Sequence, residues 1–130
     1  VILPWPDEVV VAFTGCGGAD GCGQAFEQVQ RGDLSGAEAI YTRILGPYGE
    51  PGATVDEDDR NIVAETLFNR GILRAYTGSY ELGMHDLQRA LKIRPGEDRW
   101  RQELATIEQL ASEQEQLQRQ MGQATTGSAI

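Results

Sequence analysis

Cys16 and Cys22 lie in the glycine-rich stretch TGCGGADGCGQ, directly after the apolar run VVVAF, and are the residues best suited to chemistry in this 130-residue chain. A loop this rich in glycine lets the two sulfurs meet. In the loop-entropy picture, closing so short a ring stabilises by roughly 2 to 3 kcal/mol, and an oxidised pair belongs outside the cytosol. Free thiols are the second reading, and a metal or redox site is the third. Two cysteines without a second pair, with one distant His85, fall short of four-ligand zinc spacing. The order strand, glycine loop, helix also resembles a nucleotide-binding turn. Counted from Gly15, however, the third glycine of a GxGxxG fingerprint falls on Asp20, no lysine follows, and no second parallel strand comes downstream.

Other reactive side chains are sparser. Asp86 adjoins His85, but neighbours on a helix diverge by about 100 degrees, so His85 is expected at the surface without a nucleophile. Asp56-Glu57-Asp58-Asp59 offers hard oxygens to a cation, yet lacks the alternating spacing and glycine of a calcium loop. Helix capping is the favoured role, with Asp56 as the cap and the other acids in the first turn, where the helix dipole favours negative charge.

Composition narrows the partners. Twenty acidic residues against eleven basic ones give a net charge of −9, with no basic stripe apparent for phosphates, so nucleic acid is an unexpected partner. No run reaches the roughly 18 to 20 apolar residues of a membrane span. The chain opens on Val1, which suggests a processed or excised chain, and any signal or lipid anchor would have lain upstream.

The elements that must position these residues follow from periodicity. Pro4 and Pro6 flank Trp5 in an extended lead-in. Glu8 to Phe13 reads as a strand with no partner in the chain, which makes Val9, Val11 and Phe13 candidates for strand addition to another protein. From Gly23 the period becomes helical. A short helix precedes Gly32-Asp33, a second carries Leu34, Ala37, Ile40, Tyr41, Ile44 and Leu45, and a third runs from about Asp56 to Tyr76. The fourth begins at Tyr80 and stops before Pro95-Gly96. The fifth, from about Glu97, is apolar early at Trp100, Leu104, Ile107 and Ala111 and polar late, as a capping helix would be.

Arg31 to Leu45 and Thr77 to Leu91 are two imperfect copies of one pattern, offset by 46 residues as Gly32 is from Gly78. Asp33 matches Ser79, Leu34 matches Tyr80, Ala37 matches Gly83, Tyr41 matches Leu87 and Arg43 matches Arg89. Repetition of a helical unit that cannot bury its apolar face alone implies stacked helices.

The second copy resembles a tetratricopeptide repeat, a helix-turn-helix unit of about 34 residues. Leu67 takes the bulky place, Phe68-Asn69-Arg70-Gly71 resembles the aromatic-Asn-Leu-Gly run, and Gly78, Tyr80, Gly83, Leu87, Ala90 and Pro95 fall at the turn, aromatic, small, bulky, small and stop positions. Arg70 and Arg74 depart from the pattern, standing where the family has Leu and Tyr. The first copy fits only in its second helix, and Tyr48 to Asp59 forms an acidic insertion between copies.

The resemblance implies an all-α fold of about five helices in antiparallel hairpins, with the N-terminal strand as an added arm. It divides the chain into an arm and Gly/Cys loop (1–22), two hairpins (23–95) with an insertion (47–58), a capping helix (96–122) and a disordered tail (123–130). It implies a non-catalytic adaptor or assembly subunit, without cofactor or metal, that binds a protein through the first helix of each pair: Glu65, Phe68, Asn69, Ile72 and Tyr76, with Phe26 and Gln30 in the first copy. If the last helix folds across that groove, the same residues are core. The expected setting is a bacterial envelope complex in the periplasm, with the cytoplasm as alternative. A small ligand-binding or redox domain using the Gly/Cys loop is the alternative function.

Overall fold

The computed structural model describes residues 20–50 and 54–128, with the side chains of 20–23, 26, 49 and 123–128 outside the description. The expected strand with Val9, Val11 and Phe13, and Cys16 with its expected disulfide, lie outside the described residues. Within them the chain is all-α, with five α-helices and no strand: α1 (Asp20–Gln30), α2 (Leu34–Leu45), α3 (Arg60–Tyr76), α4 (Tyr80–Ile93) and α5 (Asp98–Ser128). Short 3-10 turns at Gly46–Gly49 and Glu57–Asp59 bracket the insertion.

The two copies share their turn geometry bond for bond. Gly32 (φ 85°) and Gly78 (φ 104°) take the left-handed conformation that glycine adopts without a Cβ penalty. Gly32 N–H donates to Val29 O at 3.0 Å and Asp33 N–H to Gln28 O at 2.9 Å; at the same offset, Gly78 N–H donates to Ala75 O at 3.1 Å and Ser79 N–H to Arg74 O at 2.8 Å. These paired bonds satisfy helix-end carbonyls and reverse the chain. Asp33 then caps α2 by accepting from Gly36 N–H at 3.0 Å.

Helix α3 is buried on nearly every side, from Val63 and Ala64 to Leu73 and Ala75. It runs antiparallel to α4, as Arg60 Nη2 donates to Ile93 O near one end while Ala75 meets Gly83 near the other. The closest approach is at two glycines. A Cβ on Gly71 would lie 2.8 Å from Gly83 O, and one on Gly83 would lie 2.6 Å from Gly71 O and 2.7 Å from Ala75 Cβ. Leu67, Phe68, Ile72, Leu87, Ala90, Trp100 and Ile107 form the larger core cluster. Ala25, Val29, Ala37, Tyr41 and Leu73 form the smaller one, joining α1 and α2 to α3. Each fully buried Leu or Ile here contributes about 1.5 to 3 kcal/mol relative to exposure.

Three boundaries differ from the sequence expectation. Helix α1 starts at Asp20, so Cys22 stands on its first turn rather than in a loop. Helix α5 continues to Ser128, past the helix end expected at Gly122. Gln, Glu and Leu between residues 113 and 120 are good helix formers, and Glu115 pairs with Arg119 one turn on at 2.8 Å, so helix propagation needs no covering surface. The α-helical part of α3 begins at Arg60, after a 3-10 turn carrying Glu57, Asp58 and Asp59 in which Asp56 holds the N-cap position without a side-chain capping hydrogen bond. A stronger competitor for its carboxylate is nearby: the Tyr48 hydroxyl donates to Asp56 Oδ2 at 3.1 Å and Asp59 Oδ2 at 3.0 Å, drawing the insertion closed.

Candidate functional site

The face expected to receive a partner is occupied. Phe68 and Ile72 are fully buried, and the Phe68 ring stacks on Trp100 of α5 with centroids 4.8 Å apart and planes 14° from parallel. The Arg94 guanidinium lies over the Trp100 ring, 5.1 Å from its centre, and its Nη1 donates to Glu65 Oε1 at 2.9 Å. Asn69 is buried as well, while Glu65 and Tyr76 are half-buried. Helix α5 takes Phe68 and Ile72 into the core, the second of the two places expected for them, because an amphipathic helix in the same chain covers that apolar face. In the first copy Gln30 is exposed on α1, and the Phe26 side chain lies outside the description.

The polar centre of the molecule lies on the opposite side of α3. Asp86, 2% exposed, accepts from Arg70 Nε at 2.8 Å and from Arg70 Nη2 at 2.9 Å, a two-pronged pair with the guanidinium also buried. Arg74 Nη1 donates to the same carboxylate at 3.2 Å, and Arg74 Nε reaches Glu38 on α2 at 2.8 Å. Arg70 Nη1 extends to Thr42 Oγ1 at 3.4 Å. One carboxylate thus ties α3 to α4, and its two arginines tie α3 to α2.

Arg89 joins this group from α4, donating to the Tyr48 carbonyl at 2.6 Å and so anchoring the insertion. Burial lowers its guanidinium pKa below the ordinary value, the Asp86 charge works the other way, and the Arg70 charge lowers it further. A cleft of about 310 Å³ opens between α2 and α4, lined by Arg70, Arg74, Arg89, His85, Asp86 and Glu50 among others.

Tyr48 and Tyr41 are the strongly perturbed phenols. Hydrogen bonding to Asp59, then burial, and the Asp56 contact push Tyr48 up to about 12. Tyr41 is fully buried, its hydroxyl has no hydrogen-bond partner among the described residues, and burial pushes its pKa well above the usual phenol range.

His85 is exposed beside Asp86, which faces inward, as their angular separation requires. Among the described residues no group of three or more His, Cys, Asp or Glu side chains is placed to hold a metal ion, the 56–59 segment included. Nor is any described helix long and apolar enough to cross a membrane. Arg70 and Arg74 are visible in the sequence as departures from the repeat pattern, but nothing there selects Asp86 as their partner among twenty acids. No family model matches the chain, and neither do the curated proteins or solved structures compared with it.

Proposed function

We propose that this chain is a non-catalytic, tetratricopeptide-like adaptor whose antiparallel helix hairpins present charged surface to a protein partner. The carrying observation is the backbone approach of Gly71 and Gly83, two of the positions where the resemblance calls for small residues, with a hypothetical Gly83 Cβ only 2.6 Å from Gly71 O. The matched bonds at Gly32 and Gly78 support a repeated unit in the same way.

In this proposal the hairpins act as a rigid frame, α5 seals the apolar side, and recognition falls to polar residues outside the core. The chain serves as an assembly subunit of a larger bacterial envelope complex, with residues 9–13 adding a strand to a partner and Cys16 bonded to Cys22. Affinity capture of the full chain from its native source, read by mass spectrometry, tests the role. A reproducible protein partner recovered in near-equal amount supports it; recovery of the bait alone, or turnover of a small molecule by the purified chain, overturns it.

A further inference from the structure

Cations are scarce in this chain, with eleven Lys and Arg against twenty acids, yet several gather on one side of α4. His85, Gln88, Arg89 and Lys92 follow the i, i+3, i+4, i+7 spacing of a single helix face and together line a cleft of about 310 Å³. It shares His85 and Arg89 with the cleft that contains Arg70 and Arg74. From His85, the chain's only histidine, to Lys92, its only lysine, this face therefore runs about 10 Å along α4, seven residues at 1.5 Å each, and its near end merges with the arginine-lined cleft.

The acids nearby do not cancel this face evenly. Asp86 is buried and taken up by Arg70 and Arg74, and Glu38 holds Arg74 Nε. Glu50 is the exposed carboxylate that lines the cleft. Leu82, 57% exposed, also lines it and places an apolar contact beside the cations.

We propose that this face binds an acidic peptide segment of a protein partner, with an apolar side chain against Leu82 and successive carboxylates along His85, Arg89 and Lys92. This rests on the adaptor reading and names the chemistry of its partner. Two cations and an imidazole N–H in line on one helix face suit several carboxylates on one strand of peptide, and the adjacent leucine favours a peptide over a bare inorganic ion. Arginine forks match carboxylates geometrically, while Lys92 adds a point charge at the end of the track.

The test uses the full chain and a fluorescein-labelled peptide of about ten residues, one leucine followed by glutamates, with a glutamine version as control, at about 50 mM salt, where surface charge is weakly screened. Saturable binding of the glutamate peptide is expected, weakened roughly tenfold in the Arg89→Gln/Lys92→Gln double variant, strengthened a few-fold in Glu50→Gln and unchanged in Arg119→Gln on α5. Circular dichroism confirms that each variant is folded, and Lys92→Gln alone, at an exposed position, serves if the double variant is not. Equal binding of the glutamine peptide, indifference to the Arg89 and Lys92 changes, or displacement by inorganic phosphate in preference to free glutamate overturns the proposal. A partner captured equally well by wild type and double variant overturns this face while leaving the adaptor reading intact; failure to capture any partner removes the adaptor reading itself.

Discussion

Arg70 and Asp86 grip each other through two near-parallel hydrogen bonds of 2.8 and 2.9 Å in the interior between α3 and α4. A buried pair of this kind costs desolvation on both sides, so its presence is weak evidence of added stability. Its removal from one side is another matter. Asp86→Ala leaves Arg70 charged and buried and Arg74 with Glu38 alone, and destabilisation of about 3 to 5 kcal/mol is expected. Arg70→Met/Asp86→Leu should recover most of that loss, since two apolar groups of similar volume fill the space without stranding a charge. Urea unfolding of the three proteins checks both; a single variant as stable as wild type would show that the pair is solvated.

The Tyr48 hydroxyl closes the insertion against Asp56 and Asp59 and holds its proton up to about 12, against an ordinary phenol value of 10.0. Raised in the folded state, this pKa gives stability that is fully present below pH 10 and lost as pH rises toward 12. Tyr48→Phe should therefore be less stable than wild type at neutral pH, with the gap narrowing above pH 10. Equilibrium unfolding of both proteins across that range checks it; a gap that widens with pH has the wrong sign.

Trp100 locks α5 to the body through Phe68 on its ring and Arg94 nearby. Trp100→Ala should cost about 3 to 5 kcal/mol and expose Phe68 to solvent. Increased binding of a hydrophobic dye alongside a lowered thermal midpoint would mark that exposure. Loss of stability without dye binding would mean that the face collapses instead.

Beyond Ser112 the described side chains of α5 are exposed through Gly122. Truncation after Ser112 should remove helical signal while shifting stability by no more than about 0.5 kcal/mol, because no buried contact is lost. Thermal melts of the full and shortened chains decide it, and a large fall in midpoint would place a packed partner on the outer half of the helix.

What could be read in advance was local. The turns at Gly32 and Gly78 depend on a few consecutive residues, and the inward places of Tyr41 and Leu87 follow from helical spacing. The polar centre depends on register instead. Arg70 meets Asp86 only once α3 and α4 are packed antiparallel, at a separation of sixteen residues that no local pattern encodes. The direction in which α5 crosses the body decides whether Phe68 is surface or core, and that is a tertiary outcome. Asp56 had the right chemistry and position for a cap, but Tyr48, eight residues earlier, competes for the carboxylate.

Thermal unfolding of Gly83→Ala bears most directly on the hairpin packing from which the adaptor role is drawn. In a helix with room for a methyl group, glycine to alanine stabilises by roughly 0.5 to 1 kcal/mol. At Gly83 the new Cβ would meet Gly71 O at 2.6 Å and the Ala75 backbone nitrogen at 2.7 Å, contacts with backbone that cannot swing aside. A destabilisation of about 1 to 3 kcal/mol is predicted; a midpoint unchanged or raised would contradict the close approach of α3 and α4.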